Sequence, residues 1–344
     1  MPEAALDIVA IGDAIVDVIA RVDDGFVARE GLAKGSMQPI DEPRATMLYG
    51  RMGPAQEISG GSAANTLAGM ATLGARCGFI GQVADDQLGT VFAHDIRANG
   101  IAFVTAARPS PPATGRCLIL VTPDGQRTMN TWAGASHTLS AAAIDPAMIA
   151  RASILYLEAY MWAAPEPRAA VRAATAMARA AGRKVAFTLS ATFCVERHRA
   201  DFRALIESGA IDILFANEEE ALALAESASL ASAMDAVAAR VPLLVVTRGG
   251  RGAIARAGEA RYAVPAEPVD ALVDTTGAGD LFAAGFLVAT LQGRPIEQGL
   301  RMGAIAAAEI ISHYGARPEP TLAGIIAGRL DGQCVDGTGG SRFS

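Results

Sequence analysis

The stretch Asp274-Thr-Thr-Gly-Ala-Gly-Asp-Leu-Phe282 stands where an apolar segment, 281–291, begins to follow a helical pattern. At the predicted start of the helix stand three small residues, Gly277, Ala278 and Gly279. A helix N-terminus exposes unpaired backbone N–H groups and carries about half a positive charge. Because no bulky side chain blocks this backbone, an anion can approach it closely, and the carboxylate of Asp280 beside it can accept a proton. The stretch therefore indicates phosphoryl transfer.

The same residues also fit an ordinary helix start. Thr275 or Thr276 could serve as the N-cap, with Asp280 complementing the helix dipole. Clusters of Thr, Gly and Asp begin many helices that bind nothing. The stretch alone leaves both interpretations open.

The composition indicates one large α/β domain or two smaller ones. Of the 344 residues 51% are hydrophobic, many of them alanine, and only 5% are aromatic, which favours helices packed on a sheet. The net charge of −7 argues against nucleic acid or an anionic membrane as the main partner. No uncharged apolar run is long enough to span a membrane, and residues 1–7 lack a signal pattern, so we expect a cytoplasmic protein.

Cysteine and histidine spacing predicts neither a disulfide framework nor a structural zinc site. The cysteines lie far apart and form no CxxC pair: Cys77, Cys117, Cys194 and Cys334. The histidines show no metal-ligand spacing: His94, His137, His198 and His313.

Apolar runs typical of buried strands alternate with helical stretches along most of the chain. The predicted strands are 8–11, 77–80, 154–157, 185–188, 211–215 and 243–247. The predicted helices between them are 63–73, 88–99, 168–181, 202–207 and 230–240. A hairpin at 253–256 and 260–264 and two helices flanking Gly293-Arg-Pro295 follow. This order predicts a three-layer α/β/α fold with a central, mainly parallel sheet.

Two segments break the alternation, 14–40 and 114–132, the second with a turn at Pro123-Asp-Gly125. We expect them to form a small projecting β-sheet, a candidate lid that excludes water from a site, or else an ordinary surface hairpin. We expect residues 1–331 to form a single domain, and the glycine-rich segment 332–344 to be disordered.

A second constellation, Ser59-Gly-Gly-Ser-Ala-Ala-Asn65, precedes a helical run. Its glycines permit close backbone approach, while Ser62 and Asn65 offer a hydroxyl and an amide to a sugar. A turn followed by Ser62 as an N-cap is the alternative. Upstream, Gly12-Asp-Ala-Ile-Val-Asp17 ends the first predicted strand. Ligands of open α/β sheets lie at strand carboxyl ends, so Asp13 and Asp17 are well placed for ligand hydroxyls.

Together these segments resemble the ribokinase-like (PfkB) family of sugar and nucleoside kinases. Gly60-Gly61-Ser62 with Asn65 is similar to the family's first signature, and 274–280 to its second, matched without a gap. Between them, Asn217-Glu-Glu-Glu220 fits the N-x-x-E element, and Thr247-Arg-Gly249 followed by Gly252 fits the nucleotide-binding turn. The pieces fall in the family's order and span nearly the whole chain.

Within the family the chain is most similar to bacterial adenosine kinases. Ser62-Ala-Ala-Asn65 resembles nucleoside kinases, since ribokinases typically carry a lysine after the paired glycines. The 12–17 opening resembles theirs too, although Asp13 stands where asparagine is usual. Met52-Gly-Pro54 and Asn130-Thr-Trp132 extend the resemblance.

The resemblance implies an ATP- and Mg²⁺-dependent kinase that phosphorylates the primary hydroxyl of a nucleoside, adenosine to AMP. Asp280 would accept the proton, and the N–H groups around Gly277, Ala278 and Gly279 would stabilise the transferring group. The helix dipole favours ionised Asp280, so we expect a weak base with a low pKa.

The resemblance also assigns the other site residues. Those that would hold the ribose are Asp13, Asp17, Gly60, Gly61, Ser62 and Asn65. Those that would contact ATP and its phosphates are Asn217, Glu220, Thr247, Gly249 and Gly252. Glu220 would hold Mg²⁺ through water, or else belong only to an acidic first helical turn. The loop from Asp274 to Thr276 is a candidate site for a monovalent cation such as K⁺, as in several family members.

Several further residues have two interpretations. Arg127 either reaches the phosphates from the lid or is an ordinary exposed arginine, the reading that we favour. Candidates to line a base pocket, or simply to pack, are Ile15, Met37, Trp132 and Tyr160.

Rival functions remain at this point. A kinase of a free sugar such as ribose or fructose would share Asp280, and a non-catalytic nucleoside-binding protein would share the pocket. The lack of G-x-G-x-x-G after the first strand and of G-x-x-x-x-G-K-[ST] disfavours a dinucleotide-dependent oxidoreductase and a P-loop enzyme. A monomer and a homodimer are both open.

Overall fold

The computed structural model describes residues 5–331, so the tail predicted at 332–344 lies outside the described residues. In chain order the strands are β1 Leu6–Ile11, β2 Ile15–Arg21, β3 Met37–Pro39, β4 Ala55–Ser59, β5 Cys77–Ile80, β6 Ala102–Phe103, β7 Thr114–Val121, β8 Arg127–Gly134, β9 Ala152–Glu158, β10 Lys184–Thr188, β11 Ile213–Asn217, β12 Leu243–Thr247, β13 Ala253–Ala257 and β14 Ala260–Val264. The helices are α1 Asp24–Arg29, α2 Glu42–Arg51, α3 Ser62–Thr72, α4 Gln87–Ala98, α5 Pro146–Arg151, α6 Pro165–Ala180, α7 Thr192–Glu207, α8 Glu218–Ala225, α9 Leu230–Ala238, α10 Ala278–Leu291, α11 Ile296–Ile310 and α12 Leu322–Asp331.

The main sheet has nine strands in the order β14-β13-β12-β11-β10-β9-β1-β5-β6. Seven of these strands pair in parallel with one another: β12, β11, β10, β9, β1, β5 and β6. Strands β13 and β14 complete the sheet as an antiparallel hairpin. This confirms the mainly parallel sheet that the alternating pattern predicts.

Both faces of the main sheet are covered, as strand β1 shows. Ile8 and Ala10 pack into one hydrophobic cluster, which includes residues of α3, α10 and α11. Val9 and Ile11 pack into another, which includes residues of α6, α7, α8 and α9. Successive side chains of a strand point to opposite faces, so a strand that is apolar throughout requires a helical layer on each side. The predicted three-layer α/β/α fold is confirmed.

The second sheet has five strands in the order β3-β8-β7-β2-β4. It contains the strands expected from 14–40 and 114–132, and Gly125 closes the predicted turn between β7 and β8 with a φ of 81°. The edge strand β4 was not predicted, because its sequence Ala-Gln-Glu-Ile-Ser has little apolar character, as is common for short edge strands. We call this the lid sheet, although its closing over a ligand stays a prediction, as does the single domain.

The chain crosses between the two sheets four times: residues 104–113 join β6 to β7, and the other three crossings lie close together. The link 12–14 joins β1 to β2, and Gly60 and Gly61 join β4 to α3. The third crossing is the short helical turn Ala135–Thr138 after β8. The crossings bring together the two polar segments that the sequence indicates as a ligand site.

The start of one helix differs from the prediction. Helix α7 begins ten residues before the predicted 202–207. The mostly polar run 196–201 breaks the apolar periodicity of the sequence there, and the backbone angles at His198 are non-helical.

Within residues 5–331 no single helix is long and apolar enough to cross a membrane. The bent pair α8 and α9 meets the length and composition criteria only when the two helices are taken together.

Helices α10 and α11 approach closely because glycines stand at their contact. A Cβ atom on Gly285 would lie 2.5 Å from the carbonyl oxygen of Met302, and one on Gly303 would lie 2.7 Å from that of Phe282. Backbone cannot yield as a flexible side chain can, so these positions exclude larger residues.

We predict that Gly285→Ala lowers the free energy of unfolding by about 1–3 kcal/mol, because the new methyl group must force the two helices apart. Gly324→Ala in α12 is the matched control, since a Cβ there meets nothing within 4 Å. There the gain in helix propensity should raise stability by about 0.5–1 kcal/mol. Urea unfolding followed by circular dichroism measures both, and equal changes would contradict the packing argument.

Candidate active site

A cavity of about 620 Å³ is lined by residues of both sheets. The lid sheet contributes Ile15 and Ile119, and the carboxyl ends of β11 and β12 contribute Asn217 and Thr247. Open parallel sheets bind ligands at this edge, so the cavity lies where the fold predicts a site.

Most predicted site residues line this cavity: Asp13, Asp17, Gly61, Ser62, Asn65, Asn217, Glu220, Thr247, Thr276, Gly277, Ala278, Gly279 and Asp280. The candidate base-lining residues Ile15, Met37, Trp132 and Tyr160 line it as well. Four predicted residues lie behind or beside the lining: Gly60, Gly249, Gly252 and Asp274. Gly60 borders Asp17, and a Cβ on Gly252 would collide with the carbonyl of Val264, so both glycines also have a steric role.

The N-terminus of α10 faces the cavity without a side-chain cap. Its N-cap is Gly277 at a φ of 79°, so the alternative that Thr275 or Thr276 caps this helix is wrong. No side chain of residues 5–331 accepts a hydrogen bond as its cap. A Cβ on Gly277 would lie 3.0 Å from that of Ala316, which together with its φ favours glycine. The Ala278 N–H donates to the carbonyl oxygen of Thr275 at 3.2 Å, while the N–H groups of Gly279 and Asp280 stay available for an anion.

Asp280 is held by the first turn of another helix. The Ser62 hydroxyl donates to its Oδ1 at 2.6 Å and the Asn65 amide donates to its Oδ2 at 3.1 Å. The N-cap of α3 is Gly61 at a φ of 95°, so the alternative of Ser62 as N-cap is wrong. Ser62 and Asn65 are thus bound to Asp280 here, and their contact with a sugar stays a prediction.

The pKa of Asp280 is raised, contrary to expectation. Burial in the fold disfavours the charged carboxylate, and this outweighs the hydrogen bonds from Ser62 and Asn65, which lower the pKa. The expected low pKa is therefore wrong, because desolvation dominates. A carboxylate with a raised pKa is a better proton acceptor.

Glu158, at the end of β9, joins two of the crossings and was missed in the sequence. Its side chain is fully buried; Oε1 accepts from the Asp13 N–H at 2.7 Å and Oε2 from the Ala63 N–H at 2.6 Å. A Cβ on Gly12 would lie 2.7 Å from Oε2, so the glycine makes room for this carboxylate. Burial, and then the neighbouring charge of Asp13, raise the pKa of Glu158 well above its ordinary value. Its strand-end position is the signal that could have found it.

Asp13 is anchored from the third crossing. The buried Ser136 hydroxyl donates to Asp13 Oδ1 at 2.7 Å and accepts from the Ala14 N–H at 3.1 Å. Burial raises the pKa of Asp13. Ser136 follows β8, a strand of mixed polar and apolar residues without a recognisable motif, so no sequence pattern singled it out.

Two acceptors in the cavity have unused hydrogen-bonding capacity. Burial raises the pKa of Asp17 to about 6, and among residues 5–331 its carboxylate accepts no hydrogen bond. The buried Oδ1 of Asn65 also has no partner in this part of the chain. Buried polar groups are normally paired, so these two indicate a ligand that donates hydrogen bonds.

Asn217 and Glu220 form a capping box at the start of α8. Asn217 Oδ1 accepts from the Glu220 N–H at 2.8 Å, while the Asn217 N–H and Nδ2 each donate to Glu220 at 2.9 Å. The interpretation of Glu220 as part of an acidic first helical turn is therefore correct. Burial raises the pKa of Glu220 to about 7. Its carboxylate still has lone pairs to offer, so a role toward the cavity is compatible with the cap.

Arg127, which we expected to be exposed, is buried. Its Nη2 lies 2.9 Å from Asp274 Oδ2, with the two side chains 6% and 3% exposed. The guanidinium also stacks 5.5 Å from the ring centre of Tyr314. None of its three guanidinium nitrogens forms a hydrogen bond within the described residues, so the contact with Asp274 is an ion pair only. The expectation was wrong because the strand register turns Arg127 inward, and register cannot be read before the neighbouring strands are known.

A second arginine, Arg317, ties the loop after α11 to the site. It donates to the carbonyl oxygens of Ser59 at 2.6 Å and Ala64 at 2.9 Å. Its charge, with that of Arg127, partly offsets the effect of burial on the pKa of Asp17. Arg317 lies in a loop without periodicity, so no sequence pattern indicated it.

Comparison with known proteins identifies the family. The model of the pfkB family of carbohydrate kinases matches residues 5–322, nearly the whole chain. The chain belongs to the pfkB family. It is therefore a phosphotransferase with a ribokinase-like fold, in agreement with the bare helix start and the carboxylate beside it.

Individual pfkB relatives differ in substrate. An adenosine kinase from Sinorhizobium meliloti is 45% identical and superposes with a TM-score of 0.89, over 95% of this chain and 100% of that one. A probable sugar kinase from Rhizobium etli is 42% identical with a TM-score of 0.89, over 96% and 99%. An ATP-dependent ribose-1-phosphate kinase from Halopiger xanaduensis is 30% identical over 79% of this chain and 86% of its own length.

We predict that Glu158→Gln lowers kcat/KM for the phosphate acceptor about 10–100-fold, because an amide nitrogen cannot accept from a backbone N–H and leaves a buried donor unpaired. The KM for ATP should stay within about twofold, since Glu158 contacts only Asp13 and Ala63, in the segments that the resemblance assigns to the acceptor. Initial rates with both substrates varied provide the measurement.

Asp212→Asn is the matched control for Glu158→Gln. The Asp212 carboxylate also accepts a hydrogen bond from a backbone N–H group, that of Val185 at 2.7 Å. It lies at the amino end of β11 and does not line the cavity. Its kinetic constants should match those of the wild type. Equal changes of both KM values in Glu158→Gln would indicate a general loss of structure instead.

Proposed function

We propose that this pfkB kinase transfers the γ-phosphoryl group of ATP to the primary 5′-hydroxyl of a nucleoside, with adenosine giving AMP. One observation carries the proposal. Asp280 is clamped at a bare helix N-terminus, in a cavity that combines free hydrogen-bond acceptors with a broad apolar wall. The neighbouring structure of the S. meliloti adenosine kinase supports it.

The free acceptors suit the hydroxyl groups of a ribose. The carboxylate of Asp17 and the Oδ1 of Asn65 need hydrogen-bond donors, and a sugar hydroxyl is a neutral donor of suitable size. Asp13, Gly60 and Gly61 complete this side of the proposed pocket. A polar site of this kind strongly rejects analogues that lack the hydroxyl, because its buried groups are then left unpaired.

The apolar wall suits a nucleobase. The lid sheet contributes Ile15, Ile119 and Met129, and the main sheet side contributes Tyr160 and Phe193, whose rings lie 6.1 Å apart. A base has flat apolar faces that such side chains can cover. A free pentose or hexose carries hydroxyls around its whole ring and would leave this wall without a matching surface.

The phosphoryl group would lie between Asp280 and the start of α10. The N–H groups around Gly277, Ala278 and Gly279 would stabilise its charge, a contribution of about 3–4 kcal/mol for one such donor. The unpartnered Nε and Nη1 of Arg127 would add positive charge. Asp280 would accept the hydroxyl proton as a positioned base, since a loose transition state depends more on alignment than on proton abstraction.

The nucleotide would bind along the carboxyl ends of β11 and β12, with Thr247, Gly249 and Gly252 in contact with it. Glu220, with Asn217, fits a role as holder of water-bound Mg²⁺, because its carboxylate lines the cavity and keeps free lone pairs. No three His, Cys, Asp or Glu side chains of residues 5–331 converge as a metal cage. When bound, Mg²⁺ neutralises phosphate charge.

We predict that a panel of acceptors with ATP and Mg²⁺ gives AMP from adenosine, with kcat/KM at least about 100-fold above that for ribose, fructose or ribose 1-phosphate, because only a nucleoside fills both parts of the pocket. Chromatography of the products and coupled detection of ADP measure this. Turnover of a free sugar but not of adenosine would support the alternative of a sugar kinase, which the R. etli and H. xanaduensis relatives keep open.

We predict that Asp280→Asn lowers kcat about 10²–10⁴-fold, because the amide cannot accept the proton. Adenosine affinity, measured by calorimetry, should remain close to that of the wild type. Undiminished turnover would contradict the role of Asp280. Wild-type protein that binds adenosine but phosphorylates no acceptor would favour a non-catalytic nucleoside-binding protein.

A further inference from the structure

The carboxylate of Asp274 is surrounded by donors on every side. Its Oδ1 accepts from the Thr276 N–H at 3.0 Å and from the Thr276 hydroxyl at 2.8 Å. Its Oδ2 accepts from the Gly315 N–H at 3.0 Å and lies 2.9 Å from Arg127 Nη2. Three of these contacts are hydrogen bonds, and the fourth is an ion pair without hydrogen-bond geometry, so donors and the guanidinium together surround both carboxylate oxygens.

The residues present therefore do not fit the monovalent cation that the family resemblance implies at Asp274 and Thr276. An alkali cation held by Asp274 would have to displace one of these donors or the guanidinium. The Thr276 hydroxyl, which donates to the same carboxylate, has only its oxygen lone pairs to offer. The charge of Arg127 would also repel a second cation placed against Oδ2, strongly so away from bulk water. We infer that Arg127 takes the place of a monovalent cation at Asp274, so that phosphoryl transfer by this chain requires neither K⁺ nor Na⁺.

Arg127 is built into this position. It begins β8 and pairs in register with Val121 of β7, which fixes its backbone in the lid sheet. Tyr314 covers its guanidinium, and its side chain is 6% exposed. A buried charge is retained only with a partner of opposite sign, and Asp274 is that partner. The positive charge beside the start of α10 is therefore permanent, whereas a bound ion would exchange with the solvent.

The first test is the melting temperature of the full chain in KCl, NaCl and N-methylglucamine chloride at equal ionic strength, without substrate. We expect the three values to agree within about 1 °C, because an ion that does not bind the native state cannot stabilise it. Initial rates with ATP, Mg²⁺ and the best acceptor should agree within about twofold. Stabilisation specific to K⁺, or activation by K⁺ of tenfold or more, would overturn the inference.

The second test removes the charge of Arg127. Arg127→Leu leaves Asp274 with a free lone pair and an uncompensated charge, so K⁺ should raise the melting temperature of this variant above its value in N-methylglucamine. Arg127→Lys keeps a cation and should show no such response. If folded Arg127→Leu shows no rise in melting temperature with K⁺, the inference that Arg127 takes the place of the ion is wrong. If that variant does not fold, the wild-type salt series decides alone. The melting experiment contains neither nucleoside nor ATP, so its outcome is independent of the proposed function.

Discussion

The site depends on the burial of one carboxylate, that of Glu158. Taking a carboxylate out of water is costly, and here two backbone N–H groups compensate it, one from each of two chain crossings. The contact sets the distance between the 12–14 link and the start of α3. Since α3 carries Ser62 and Asn65, the place of Asp280 follows from the same contact. A local electrostatic requirement thus becomes the geometry of the whole cavity.

The charges around the cavity form a compact set of opposing signs. Arg127 pairs with Asp274, and Arg317 lowers the pKa of Asp17 and of Asp280, both of which burial raises. Asp13 and Glu220 add two carboxyl groups to the lining and Arg197 adds one cation, so carboxyl groups outnumber arginines around the cavity. A site of this kind can accept a polyphosphate only together with additional positive charge, which agrees with the Mg²⁺ dependence that kinase chemistry requires.

Much of the fold followed from local patterns. Continuous apolar runs alternating with helices predict a parallel sheet with two helical layers, because no other arrangement buries both faces of such strands. The glycine-rich helix starts at Gly61 and Gly277 and the strand-end aspartates were recognisable for the same reason, since their signal lies within a few residues. The site residues that the sequence did not predict depend on contacts between distant segments. Arg127 is buried because of strand register, and Arg317 reaches the site from a loop 253 residues after Ala64. Glu158 carried a local signal, its strand end, but its two partners lie in distant segments.

Three of the four crossings between the sheets lie beside the cavity, which has a mechanical consequence. Each carries or leads into a residue at one side of the cavity. The 12–14 link carries Asp13, the glycines before α3 lead into Ser62, and the turn after β8 carries Ser136, which donates to Asp13. A rotation of the lid sheet against the main sheet must therefore bend the backbone at the residues that line the pocket. Such a rotation would make the pocket the hinge. A ligand bound there would occupy that hinge, so ligand binding would be coupled directly to the angle between the lid sheet and the main sheet.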